Sequence, residues 1–137
     1  MLLWWALERG ADEFSVTGIL TEGGSRDAFD AFDRLADQHK LPPQPRYQLG
    51  GKVEMTELWR FNPDTINALR VAFPRGYFQY FPEDAWFEDL MVYRQGELIL
   101  GVITHESEGV VRVTLEDRRE LDGRWLVYDT KGQYVGY

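Results

Sequence analysis

The sequence predicts an α+β domain of two layers, a mainly antiparallel sheet of about six to eight strands packed against two helices. Two stretches in the first half carry helical spacing, and the second half runs in period-two apolar segments broken by turn residues. With 137 residues, 44% of them hydrophobic and 15% aromatic, residues 1–137 make one domain with enough apolar surface for an ordinary core.

Taken in order, Leu2 to Glu8 and Glu13 to Thr21 predict two strands of a hairpin across Arg9-Gly10-Ala11-Asp12, with Phe14, Val16 and Leu20 on one face. Gly23-Gly24-Ser25 offers a helix N-cap, and Asp27 suits the first turn of the helix that follows to about His39. Its apolar side is Ala28, Phe29, Phe32, Leu35 and Ala36, and its acidic side is Asp27, Asp30, Asp33 and Asp37. Leu41 to Gly51, with Pro42, Pro43 and Pro45, reads as a short loop, and Lys52 to Met55 as a short strand.

Asn62-Pro63-Asp64 predicts a second helix start: a capping Asn, a proline at the first helical position and an early acid. Ile66, Leu69 and Phe73 give that helix its core face, and Pro74 ends it. Beyond it the strands expected are Tyr77 to Phe81, Phe87 to Arg94, Leu98 to Thr104, Val110 to Leu115, Arg124 to Asp129 and Gln133 to Tyr137. Gln95-Gly96 as a two-residue loop sets Arg94 opposite Glu97, Tyr93 opposite Leu98 and Val92 opposite Ile99. Leu121-Asp122-Gly123 reads as a bend and Asp129-Thr130-Lys131-Gly132 as another hairpin.

Composition excludes several functions. The absence of cysteine removes disulfide frameworks, thiol nucleophiles and thiolate zinc sites, and points to a reducing cytoplasm. Fifteen Lys and Arg against 23 Asp and Glu, a formal charge of −8, argue against nucleic acid, whose affinity is built by releasing counterions from basic surface. No apolar run approaches the ~18 residues of a membrane span, and the apolar start at Met1 to Leu7 lacks the basic and small-residue flanks of a signal. Gly23-Gly24-Ser25 and Gly50-Gly51-Lys52 lack the spacing of a phosphate loop, and the reading includes no cofactor, no metal and no catalytic residue. The enzymatic alternative is a small hydrolase or metal-assisted enzyme built on His105 with Glu106, Glu108 or a carboxylate brought in by folding; His39, ending the first helix, suits the helix dipole without further purpose.

One window is unlike the rest. Gly76 to Tyr93 holds seven aromatics, four acids and no Lys or Arg, and from residue 76 onward twelve acids face six basic residues. Aromatic anchors rimmed by charge of one sign are the composition of a docking surface for a basic protein. The residues expected to form it are Glu83, Asp84, Trp86, Phe87, Glu88 and Asp89. In size, acidity and lack of cysteine the chain resembles bacterial immunity proteins, and that resemblance implies an inhibitor that covers a basic toxin or nuclease. A further alternative is a homo-oligomeric structural subunit, a homodimer in the simplest case, whose aromatic surface pairs with its own copy.

Overall fold

A computed structural model describes residues 2–49, 51–74, 85–104, 108–112 and 114–122. Among them the chain forms α1 (Leu2–Glu8), β1 (Glu13–Leu20), α2 (Asp27–Ala36), a 3₁₀ turn (Asp37–His39), β2 (Lys40–Gln48), β3 (Lys52–Arg60), α3 (Pro63–Ala72), β4 (Ala85–Arg94), β5 (Glu97–Ile103), β6 (Glu108–Val111) and α4 (Leu115–Asp122). The strands make one antiparallel sheet in the order β2-β3-β1-β4-β5-β6, so the fold is α+β. The expected strands at 77–81, 124–129 and 133–137, the hairpin at 129–132 and the turn carrying His105 lie outside the described residues.

The first expected strand is a helix. An apolar run this short is too brief for its period to separate the two states. Here Leu3, Trp5 and Ala6 enter the core at helical spacing. The residues read as a hairpin turn instead close α1: Gly10 N–H donates to Leu7 O at 3.0 Å and Ala11 N–H to Ala6 O at 3.0 Å, with Gly10 at φ +85°. This paired closure needs a left-handed residue one step past the helix, which glycine adopts without a Cβ clash.

The proline segment is also corrected, because Lys40–Gln48 is a strand at the edge of the sheet. Its pairing with β3 shifts register between Leu41 and Gln44, around Pro42 and Pro43. Proline is tolerated at an edge, where no second neighbour asks for its missing N–H, and it blunts that edge against further pairing. β3 accordingly runs to Arg60, well beyond the expected Met55.

The two expected helices form. α2 buries Phe32 and Ala36, and Ser25 Oγ accepts from Asp27 N–H at 3.2 Å. In α3, Asn62 Oδ1 accepts from Thr65 N–H at 3.0 Å while Thr65 Oγ1 accepts from Asn62 N–H at 2.9 Å, a reciprocal cap. Asn62 Nδ2 also meets His39 Nδ1 at 3.1 Å, which ties the end of the 3₁₀ turn to the start of α3. At the other end, Leu115 opens α4 rather than closing a strand, and Leu121 and Asp122 belong to that helix rather than to a bend. Thr114 and Asp117 cap it: Asp117 N–H donates to Thr114 Oγ1 at 3.1 Å and Thr114 N–H to Asp117 Oδ2 at 3.2 Å.

Gln95 and Gly96, both at positive φ, form the two-residue β4–β5 loop, with Arg94 opposite Glu97 and Tyr93 opposite Leu98. Val92, however, faces Leu100 instead of Ile99. Ile99 is an extra residue on β5, so Ile99 and Leu100 both pack into the main core with Val92.

The sheet has two apolar faces. The main core lies between the sheet and the helices, where Phe14, Phe32, Trp59, Ile66, Leu69 and Leu90 pack together. On the opposite face Leu58, Met91, Tyr93 and Leu98 make a smaller cluster with Leu41 and Leu49. The β2–β3 hairpin curls over this second cluster. Gln48 Nε2 donates to Tyr93 Oη at 3.0 Å, Tyr93 O–H donates to Tyr47 O at 3.1 Å, and Arg46 holds Glu13 at 2.7 Å. A Cβ on Gly101 would stand 2.7 Å from Leu49 Cδ1, so the absent side chain is what admits Leu49.

Burial pushes the Tyr93 phenol above its ordinary value, and hydrogen bonding to Ser15 and Gln48 opposes the rise only in part. A folded-state value raised above the unfolded one contributes stability that is complete below the unfolded value of about 10 and is lost as pH rises through the folded one. Urea midpoints measured from pH 8 to 11 should therefore fall more steeply in the wild-type chain than in Tyr93→Phe. At pH 8 the variant should be less stable by about 1 kcal/mol, for the lost hydrogen bonds.

Candidate functional site

The expected docking residues fall on β4, a central strand between β1 and β5. Their orientation is set by one irregularity. Met91 pairs with Ser15 but Glu88 pairs with Thr17, so β4 spends three steps where β1 spends two. The extra residue lies at Asp89 and Leu90, where Asp89 takes φ +54°. Aspartate tolerates this left-handed backbone better than most residues, and here its side chain holds it there. Asp89 Oδ1 accepts from Thr104 N–H at 3.0 Å, and Thr104 Oγ1 accepts from Asp89 N–H at 3.1 Å.

An inserted residue reverses which face the following side chains take. Phe87 and Leu90, three apart, therefore both enter the main core. Phe87 is 8% exposed, with its ring 4.8 Å from Phe32 and 5.0 Å from Phe29. Gly18 lies opposite Phe87 on β1, and a Cβ there would stand 3.2 Å from Phe29 Cζ, so the glycine lets the two rings close.

The remaining residues divide. Trp86 and Glu88, both half-buried, share the outward face of β4, where Trp86 Nε1–H donates to Glu88 Oε2 at 3.4 Å. Ile19 and Thr17 stand opposite them on β1. Asp89 is half-buried and its carboxylate is committed to Thr104. Glu83 and Asp84 lie outside the described residues. A separate concentration of acid occupies the solvent side of α2, where partial burial and then the charges of Asp37 and Asp30 push the Asp33 carboxyl above its ordinary value.

Sequence reasoning missed a second site. A cleft of about 200 Å³ opens where the end of α1, the β4–β5 hairpin and the start of α4 meet, and Arg9, Arg94 and Arg112 line it with Trp5, Ile99, Thr114 and Asp117. Each arginine is held by main-chain or capping geometry. Arg9 follows α1 and its Nε donates to Asp117 Oδ1, Arg94 Nη1 donates to Arg9 O at 3.2 Å, and Arg112 N–H donates to the carbonyl of the bulged Ile99 at 2.8 Å. Desolvation works against the Asp117 charge, but the Arg9 guanidinium and the Thr114 N–H and hydroxyl hold its carboxyl below the ordinary value. These residues come from three well-separated stretches of the chain, so no local spacing betrays them.

Among the described residues no group of three or more His, Asp or Glu side chains is placed to hold a metal ion, and no helix is long and apolar enough to cross a membrane. Compared with protein-family models, with curated proteins and with solved structures, the chain matches none.

The bulge predicts opposite outcomes for adjacent residues. Phe87→Ala should cost about 3–5 kcal/mol in chemical denaturation, as a core truncation does. Trp86→Ala should cost about 1 kcal/mol or less, in line with substitutions away from the core. Asp89→Val, which loses the carboxylate bond to Thr104 N–H and places a β-branched residue at positive φ, should cost about 2–4 kcal/mol, and Asp89→Asn distinctly less.

Proposed function

We propose that the chain is a small cytoplasmic protein-binding module that docks a basic protein, in the manner of an immunity-type inhibitor covering a toxin or nuclease. The observation that supports this reading is the pairing of Trp86 with Glu88 on the outward face of β4, beside Thr17 and Ile19, while Phe87 between them turns into the core. An aromatic anchor that carries its own carboxylate suits a cationic partner twice over. The indole supplies apolar burial, and the carboxylate meets an incoming Lys or Arg.

The charge of −8 adds the long-range component, since an acidic surface raises the encounter rate with a basic partner and does so less as salt screens it. Glu83 and Asp84 extend the surface in this reading, whereas Asp89 serves the backbone of β4 and contributes charge only. Inhibition by occlusion asks for no catalytic group, and a stable complex would bury roughly 800 Å² on each side.

The test is capture from lysate of the chain's own source, identification of any stoichiometric basic protein retained, and association kinetics at low and moderate salt. Glu88→Lys should slow association several-fold and flatten its salt dependence, while Trp86→Ala should speed dissociation about tenfold or more. A partner bound equally well by both variants would overturn this surface. Failure to retain any basic protein at low salt would overturn the function.

A further inference from the structure

We infer that the cleft lined by Arg9, Arg94 and Arg112 binds the dianionic head of a small phosphomonoester. It is a basic site on an acidic protein: among the described residues three that bear a guanidinium line it against one carboxylate, Asp117. Asp117 is matched to Arg9, which leaves the charge of Arg94 and Arg112 for a ligand, and among the described residues neither guanidinium lies in an ion pair. Two positive charges in excess match a phosphomonoester, which carries about −1.5 to −2 at neutral pH.

A second observation, of a different kind, comes from Trp5. This residue lines the cleft and is 5% exposed, and among the described residues its buried Nε1–H meets no acceptor. A buried donor left without a partner is unfavourable, and because Trp5 lines the cleft its N–H resonance reports on an anion bound there. The guanidinium fork offers paired N–H donors to phosphate oxygens in one plane, and the indole and Ile99 give the same cleft an apolar wall for the group that bears the phosphate. At about 200 Å³ the space suits a small phosphate ester.

The site stands apart from the docking face on β1 and β4, so the two proposals fail separately. The experiment is titration of the folded chain with phenyl phosphate and with inorganic phosphate at constant ionic strength, followed by heat and by the indole N–H resonances. The Trp5 signal is assigned from Trp5→Phe. One-site saturation is expected, with a shift of the Trp5 indole proton and tighter binding at pH 8 than at pH 5, as the phosphate loses its second proton near pH ~6.

Arg112→Gln and Arg94→Gln, both at exposed positions, should each weaken binding about tenfold or more while circular dichroism stays unchanged. Glu88→Lys should leave it as it is. Absence of saturation, an unmoved Trp5 resonance, or wild-type affinity in both arginine variants would overturn the assignment. Tighter binding of the dicarboxylate succinate than of either phosphate would also overturn it, in favour of a carboxylate site.

Discussion

The arrangement of the whole sheet rests on the extra residue in β4. With Asp89 at φ +54° and its carboxylate and N–H both engaged by Thr104, the strand is turned over between Glu88 and Leu90. Phe87, Leu90 and Val92 then all face the helices, and Glu88, Met91 and Tyr93 all face away. A regular strand would put Phe87 on the same side as Met91 and divide the aromatic cluster with Phe29 and Phe32. The cost of a left-handed aspartate, of order 1–2 kcal/mol, is offset by two local hydrogen bonds and by apolar burial on both sides of the insertion.

The two faces so produced are finished by different means. The helix side closes by packing rings, with Phe14 stacked on Trp59 at 5.7 Å and edge-on to Phe32 at 6.4 Å. The far side closes by folding the sheet on itself, and there a polar network around Tyr93 accompanies the apolar contacts. Thr56 and Gln48 satisfy the phenol's surroundings, so Tyr93 is fully buried without an orphaned hydroxyl. Beyond the reach of the β2–β3 hairpin, the same face carries Trp86 and Glu88. The second insertion, at Ile99, aims that residue's carbonyl at Arg112 and so helps to build the arginine cleft.

What could be read in the sequence was what is decided locally. Asn62-Pro63-Asp64 specifies a helix start by its own hydrogen bonds and proline geometry, and Gln95-Gly96 specifies a two-residue turn by its backbone preference. α1 was not legible because seven residues, apolar at every position but the last, make too few turns to show a period, and its Gly10 suits a helix end as well as a hairpin. β2 was hidden by prolines that only an edge position tolerates, and an edge is a property of the assembled sheet. Thr114-Leu115-Glu116-Asp117 did carry a capping signature that could have located α4. The candidate surface was legible as composition and not as orientation: Trp86 and Glu88 share its outward face, but the insertion that sends Phe87 inward depends on Thr104, fifteen residues away. The arginine cleft joins Arg9 to Arg112, and that distance along the chain leaves no pattern to read.

Because the bulge decides which side chains face outward, it is the feature to measure first. Nuclear Overhauser contacts across β1 and β4, with the coupling that reports φ at Asp89, read it directly. The bulged strand requires Glu88 opposite Thr17, Met91 opposite Ser15 and a positive φ at Asp89. Asp89 found opposite Thr17 with a negative φ would restore a regular strand, put Phe87 on the outward face and contradict the arrangement of core and surface described here.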